Sequence, residues 1–157
     1  AQGLCLLQFE DSCPPEMAQT RFSGHSNGTW EWTTHPHLDA TSILLKAYFA
    51  GEKPRFDIPL HLMGTPFQLK VWQQLQNIPY GKTMSYKQQA IAMKNTGAIR
   101  AIAHANGANP IMILIPCHRV VGSSGALTGY RGGLQRKAFL LQLEGTAIAQ
   151  QSTLQFE

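Results

Sequence analysis

Two capping boxes begin short helices in the second half of this 157-residue chain. Thr65-Pro-Phe-Gln68 and Ser85-Tyr-Lys-Gln88 each place a hydroxyl residue three positions before a glutamine, which is typical of a helix N-terminus. A third helix is predicted over about 98–108, after the break at Asn95-Thr-Gly97. Short helices joined by a glycine-containing turn favour a small helical domain and indicate a helix-turn-helix.

The first part of the chain has a different pattern. Gly3–Phe9 is apolar and 56–62 alternates, so both are predicted as strands, with Pro59 confining the second to an edge. A helix is predicted over Leu38–Ala50, and 10–36 is interpreted as short strands and loops.

Together these patterns predict an α+β fold in two domains. Residues 1–63 are expected to form a small α/β domain with a short antiparallel sheet. Residues 64–157 are expected to form a mainly helical domain of the helix-turn-helix, winged-helix-like kind. Its last helix is predicted over Leu134–Glu144, and the tail from Thr146 is expected to fray.

Charge separates the same two regions. Residues 64–157 carry nine Lys/Arg and two Asp/Glu, and no acidic side chain lies between Asp57 and Glu144. This charge pattern fits binding to a polyanion such as nucleic acid, and it equally fits a merely basic surface. The third helix has Ala98, Ala101, Ala105 and Ala108 on one face, which suits either close helix packing or insertion into a nucleic-acid groove beside Arg100.

Membrane insertion and secretion are not predicted. The longest apolar run, Ile111–Ile115, is far shorter than the roughly 20 residues of a membrane span. No signal-peptide pattern is visible, and three irregularly spaced cysteines do not form a disulfide framework. We therefore expect a reducing, cytoplasmic environment.

Cys117 is the candidate nucleophile. It follows a buried-looking run and Pro116, and it precedes His118, Arg119 and a glycine-rich loop. Nearby cations favour the reactive thiolate, so we expect Arg119 to lower the pKa of Cys117, with His118 as a candidate base. The alternative is a small buried hydrophobic residue, which is the interpretation given to Cys5 and Cys13.

Glu144 is an acid at the C-terminal end of a helix, where the helix dipole disfavours it by roughly 0.3–1 kcal/mol. It is therefore either a partner that orients His118 or a surface glutamate, unpaired or paired with Lys137. Cys5, Cys13 and His25 lack the spacing of a structural zinc site, and His35 and His37 fit a loop, so no metal is expected.

Ile115-Pro-Cys-His-Arg-Val-Val121 resembles the active-site signature of the O6-alkylguanine-DNA alkyltransferases. Further blocks match in family order over about 56–145, whereas 1–55 match only loosely. They are Gly64-Thr-Pro-Phe-Gln68, Ile78-Pro-Tyr-Gly81, Ser85-Tyr86, Ala98-Ile-Arg100-Ala, Ala105-Asn-Gly-Ala-Asn109-Pro, Gly129-Tyr-Arg-Gly-Gly133 and Leu140-Leu-x-Leu-Glu144-Gly.

The resemblance implies repair of DNA by one irreversible transfer of an alkyl group from O6 of guanine to Cys117. By analogy, His118 takes the Cys117 proton through a water, Glu144 orients His118, and Asn109 braces the active-site loop. Tyr86 donates a proton to the departing guanine. The reaction needs no metal or cofactor.

The resemblance also implies a DNA-binding surface and a base pocket. Arg100 would fill the gap left by a base rotated out of the stack, as chemistry on a base requires. The helix bearing Ala98, Ala101 and Ala105 would lie in the minor groove of double-stranded DNA. Val120, Tyr130, Arg131 and Met112 would line the guanine pocket. We expect the protein to act as a monomer, and Arg131, which is Ser in some members, leaves the pocket width open.

Three other functions fit parts of the sequence. The chain is compatible with the C-terminal part of an adaptive-response transcriptional regulator. It is also compatible with an alkyltransferase-like protein that only marks damage, although Cys117 argues against this. A Cys-His-Glu hydrolase or acyltransferase would use the Gly122–Gly129 loop as an oxyanion hole and would turn over many times.

Overall fold

A computed structural model describes residues 2–24 and 31–147 of the chain. Within these residues six helices and two strands follow in the order α1 (Pro15–Phe22), α2 (Pro36–Phe49), α3 (Pro66–Leu75), β1 (Met84–Ser85), α4 (Tyr86–Ala92), α5 (Ile99–Gly107), β2 (Val120–Val121) and α6 (Leu134–Leu143). The predicted α+β class is confirmed. No helix in the described ranges is long and apolar enough to cross a bilayer.

The two capping boxes form as predicted. The Thr65 hydroxyl accepts from the Gln68 backbone N–H at 3.2 Å, and the Gln68 side chain accepts from the Thr65 N–H at 2.9 Å. Ser85 and Gln88 repeat this exchange at 3.0 and 2.7 Å. Each box satisfies donors that the first helical turn would otherwise leave unpaired, so α3 and α4 begin at fixed residues.

The antiparallel sheet expected in residues 1–63 is wrong for the part of that region that the structure describes. Leu4 pairs with Leu60, and Leu7 with Ile111, as isolated parallel bridges. The Leu4 N–H donates to the Pro59 carbonyl, but Pro59 has no N–H of its own with which to extend a ladder. The two-stranded sheet that does form is parallel and pairs Met84 with Val120.

The first helix, α1, lies within the 10–36 segment that was interpreted as strands and loops. Its buried side chains, Ala18 and Phe22, are only one turn apart, so the sequence offers too few apolar positions to reveal a helical period. Residues 25–30, with His25, and residues 148–157 of the tail lie outside the described residues.

One apolar core joins the two regions of the chain. Leu4 and Ile58 pack with Val71, Trp72 and Leu75 of α3, and the same cluster continues to α5 and Cys117. The division of the chain at residue 63 stays a prediction.

Two buried polar contacts fix the helices of this core. The Trp72 indole N–H donates to the Ala105 carbonyl at 2.9 Å and ties α3 to α5. The Gln89 and Asn106 side chains exchange two amide hydrogen bonds, at 3.2 and 2.8 Å, across α4 and α5. Because both amides are buried and satisfied, they specify how the helix-turn-helix pair packs.

We predict opposite effects of alanine at two glycines. Gly81 has φ +72°, and an added Cβ would lie 2.8 Å from the Glu144 carbonyl oxygen, so Gly81→Ala should lower the free energy of unfolding by about 1–3 kcal/mol. Gly107 lies in α5 with open space around it, so Gly107→Ala should leave stability unchanged or raise it by up to about 1 kcal/mol. Urea unfolding measures both, and equal effects would contradict this account of Gly81.

Candidate active site

The Cys117 thiol is held in a buried turn. Cys117 begins the 3-10 turn Cys117–Arg119, directly before β2, and is 6% exposed. The Asn109 side-chain amide donates to Cys117 Sγ at 3.2 Å and to the Ile115 carbonyl at 2.7 Å, and its oxygen accepts from the Ile111 N–H at 2.9 Å. Asn109 thus holds the thiol and the approach to it.

The apolar run before Cys117 folds as turns rather than as a strand. Ile113 has φ +71°, a left-handed conformation that is unfavourable for a β-branched residue. The N–H of Met112 bonds to the Leu7 carbonyl, and that of Ile115 to the Ile111 carbonyl. These contacts on either side of Ile113 hold the run in place beneath the thiol.

Burial raises the pKa of the Cys117 thiol, opposed by the Asn109 amide, the Lys137 charge and nearby backbone N–H groups. The expected lowering by Arg119 is therefore wrong. Arg119 instead donates to Glu144 from Nε at 2.8 Å and from Nη2 at 3.0 Å, and to the Ile78 carbonyl from Nη1 at 2.6 Å. A thiol kept neutral by burial needs a base before it can attack.

Glu144 is buried, so the surface interpretation is wrong. Its carboxylate accepts from His118 Nε2 at 2.8 Å, from the Tyr48 hydroxyl at 2.7 Å and from the Gly81 N–H at 3.2 Å, in addition to Arg119. Burial alone would raise the pKa of this carboxyl, but the His118 and Arg119 hydrogen bonds outweigh it and lower the pKa to about 2. Glu144 is therefore a carboxylate at neutral pH.

This carboxylate determines the protonation of His118. Burial lowers the pKa of the His118 imidazole, despite the opposing Glu144 hydrogen bond, so the ring is neutral at pH 7. A carboxylate only accepts hydrogen bonds, so the ring proton belongs on Nε2. Nδ1 is then a free lone pair, and it is buried without a protein partner among the described residues. The neutral ring can accept a proton at Nδ1.

Lys137 is a charged site residue that the sequence analysis missed, except as a surface partner for Glu144. It is fully buried on α6, and its ammonium donates to the Thr128 and Gly129 carbonyls at 2.8 and 3.3 Å. Burial lowers its pKa to about 8, while the nearby Cys117 raises it. The apolar neighbours Leu140 and Leu141 on α6 indicate a buried face, but lysine in that face carries no sequence signal of its own.

The predicted pocket residues surround this centre. Tyr86 begins α4, and its hydroxyl donates to the Thr128 carbonyl at 3.2 Å. Val120 is buried in β2, Met112 is buried beneath Tyr130, and the Tyr130 hydroxyl is buried without a partner in the described ranges. Arg131 is exposed. The pairing of β1 with β2 holds Tyr86 beside the Cys117 turn.

The exposed face of α5 differs from the predicted one. Ala105 is 2% exposed, and its carbonyl accepts from Trp72, so it packs in the core and is not available for DNA contact. Ala98 is half-buried, while Ala101 is exposed. The open side of the helix carries Arg100, Ala101, His104 and Gly107. Alanine suits both a buried and a groove-facing position, which is why its spacing did not identify the face.

Comparisons with known proteins agree on one family. Residues 66–146 match the family model described as 6-O-methylguanine DNA methyltransferase, DNA binding domain. The chain is 55% identical over 114 residues to a methylated-DNA–protein-cysteine methyltransferase of Mycolicibacterium paratuberculosis, covering 72% of this chain and 69% of the relative. It is 49% identical over 110 residues to the constitutive enzyme of Bacillus subtilis, covering 69% and 67%.

A solved structure extends the similarity to the fold. The crystal structure of Mycobacterium tuberculosis OGT in complex with DNA superposes with a TM-score of 0.69 at 50% identity. The match covers 76% of this chain and 75% of that chain.

We predict that acid destabilises the fold through Glu144. Its pKa of about 2 lies below the ordinary 4.5, so the unfolded chain binds the extra proton and stability falls as pH drops through that window, by about 3 kcal/mol in full. His118, whose pKa lies below 6.5, acts in the same direction at higher pH. In urea unfolding from pH 7 to pH 2, Glu144→Gln should show a shallower loss below pH 4.5. An unchanged slope would contradict this origin.

Proposed function

Because the chain belongs to the methylated-DNA–protein-cysteine methyltransferase family, we propose that Cys117 accepts the alkyl group from O6-alkylguanine in DNA. Family members repair such lesions by direct transfer to their own cysteine. The observation that carries the assignment is the chain of contacts from Glu144 to His118, whose Nδ1 is unprotonated, beside the buried thiol that Asn109 holds.

The transfer is a proton removal followed by a displacement at carbon. Nδ1 of His118 takes the thiol proton, directly or through a water, while Glu144 stabilises the resulting imidazolium. Sγ of Cys117 then attacks the methyl carbon, and the S–C bond forms as the C–O6 bond breaks. Guanine leaves with the bonding electron pair and takes up a proton. The thioether is stable, so each protein molecule acts once.

Two groups stabilise the thiolate before it attacks. The Asn109 amide donates to Sγ, and the buried Lys137 ammonium lowers the pKa of the thiol through its charge. In a site with little water these interactions are stronger than in solution.

Tyr86 is the proposed proton donor to the departing guanine. Its phenol is neutral at pH 7, because burial raises its pKa, with opposition from the Thr128 hydrogen bond. It stands at the start of α4, on the same loop carbonyl that Lys137 contacts. The base would lie between Tyr86 and the pocket formed by Val120, Tyr130, Arg131 and Met112.

The proposed DNA contact uses the exposed side of α5. We place this helix in the minor groove, with Arg100 entering the stack where the damaged nucleotide has rotated out. Ala101 and Gly107, also on that side, would let the helix backbone approach the duplex closely. The basic character of residues 64–157 favours this partner.

We also propose that the protein acts as a monomer in the cytoplasm, without a cofactor. One chain supplies the thiol, the base, the carboxylate and the proton donor, so the reaction requires no second copy. Cys5, Cys13 and Cys117 are free thiols, which fits a reducing compartment.

The acceptor assignment predicts that Cys117→Ala abolishes methyl transfer from an O6-methylguanine duplex but retains DNA binding. Transfer is measured with a methyl-labelled duplex, and binding by gel shift. Cys13→Ala, a buried thiol outside this site, is the matched control and should transfer normally. Residual transfer by Cys117→Ala would reject the assignment.

The proposed role of Arg100 predicts a substrate-dependent loss. Arg100→Ala should slow repair of a duplex by about tenfold or more, because unstacking a base costs a few kcal/mol that the inserted side chain offsets. Reaction with free O6-methylguanine base should be unchanged. Lys70→Ala, which removes an exposed charge from α3, is the control. Equal losses on duplex and free base would show that Arg100 does not act in base extrusion.

A further inference from the structure

We propose that Tyr48 is a positioning residue of the methyl-transfer reaction. Its hydroxyl fixes the orientation of the Glu144 carboxylate and limits the negative charge that this carboxylate presents to His118. The inference rests on the proposed function, in which His118 is the base. It adds to the site a residue of α2, which lies outside the matched segment 66–146.

Three donors share one oxygen of Glu144. The Tyr48 hydroxyl donates to Oε1 at 2.7 Å, His118 Nε2 at 2.8 Å and Arg119 Nη2 at 3.0 Å. The other oxygen, Oε2, accepts from Arg119 Nε and the Gly81 N–H. Tyr48 is therefore the hydroxyl that directly competes with His118 for the same lone pairs.

The Tyr48 ring is held independently of this hydrogen bond. It is fully buried, and its centroid lies 5.4, 6.0 and 6.1 Å from the rings of Phe49, Phe56 and Tyr80. Because the ring is packed, the hydroxyl reaches the carboxylate without ordering a free side chain. Phenylalanine at this position keeps the packing and removes only the donor.

The charge argument has a definite sign. Each hydrogen bond to Oε1 withdraws electron density, so removing the Tyr48 donor leaves Glu144 more basic. A more basic carboxylate stabilises the imidazolium form of His118 and raises its pKa. Tyr48 therefore keeps His118 neutral, with Nδ1 available, to lower pH than Glu144 alone would allow.

Other charged and titratable groups also face this pair, and Tyr48→Phe leaves them in place. They are Cys117 and Arg119 on the same turn, Lys137 on α6, Tyr80 after α3, and Lys53, whose ammonium lies 5.4 Å from the Tyr80 ring. Arg119 and Lys137 both lower the pKa of His118.

The test compares Tyr48→Phe with Tyr80→Phe in the full chain. Tyr80 belongs to the same aromatic cluster, but its hydroxyl donates to the Leu143 carbonyl and not to Glu144. NMR titration gives the His118 pKa in each protein, and single-turnover methyl transfer from an O6-methylguanine duplex gives the rate from pH 5 to pH 9.

We expect Tyr48→Phe to raise the His118 pKa by about half a pH unit or more and to move the rising limb of the rate profile with it. The rate should fall about three- to tenfold at pH 6 and less than twofold at pH 8. Tyr80→Phe should match the unmodified protein. Identical profiles for the two variants, or a uniform loss at every pH, would overturn the proposal.

Two further measurements separate this proposal from the others. In a Glu144→Gln background, Tyr48→Phe should have no additional effect on the pH profile, and an additive effect would overturn the role of Tyr48. In the unmodified protein the Tyr48 Cζ resonance should respond to the His118 titration, and no response would also overturn it. If the unmodified protein transfers no methyl group, the proposed function fails, while these titrations still test the Tyr48 contact.

Discussion

A buried carboxylate must be surrounded by donors, and Glu144 is the charge around which this structure is arranged. Its donors come from α2, from the turn after α3 and from the Cys117–Arg119 turn, while Glu144 itself follows α6. Satisfying one side chain therefore brings four separate segments together. The same contacts that make the charge tolerable also hold the histidine beside the thiol.

The energetics of the site follow from this arrangement. Burial keeps the Cys117 thiol and the His118 ring neutral, whereas the hydrogen bonds to Glu144 keep it ionised. The resting thiol is thus protected, and its proton has a defined acceptor in Nδ1. Lys137 adds a positive charge that favours the thiolate once it forms. Such a site suits a reaction that each molecule performs only once.

Local signals in the sequence predicted the parts of the fold that depend on local chemistry. The capping boxes at Thr65 and Ser85 predicted helix starts because the donors and acceptors lie within four residues of each other. The parallel bridge from Leu7 to Ile111 could not be predicted, because it joins residues far apart in the chain. Ala105 failed for another reason: alanine carries no preference between the core and a groove.

The site shows the same division. The order Cys117, His118 and Glu144 is visible in the sequence together with the family resemblance, but the contacts that define their chemistry are not. Tyr48 lies 96 positions from Glu144, in the loosely matching part of the chain, and Lys137 looks like any helical lysine. Burial of a charged or hydroxyl side chain results from tertiary packing, which no short motif encodes.

The most direct test of the central claim is the intact-protein mass after mixing with a duplex that carries one O6-methylguanine. The account predicts a gain of one methyl group that saturates at one per protein and maps to Cys117. A methyl group on another residue, or repeated removal of methyl groups by an unmodified protein, would contradict it.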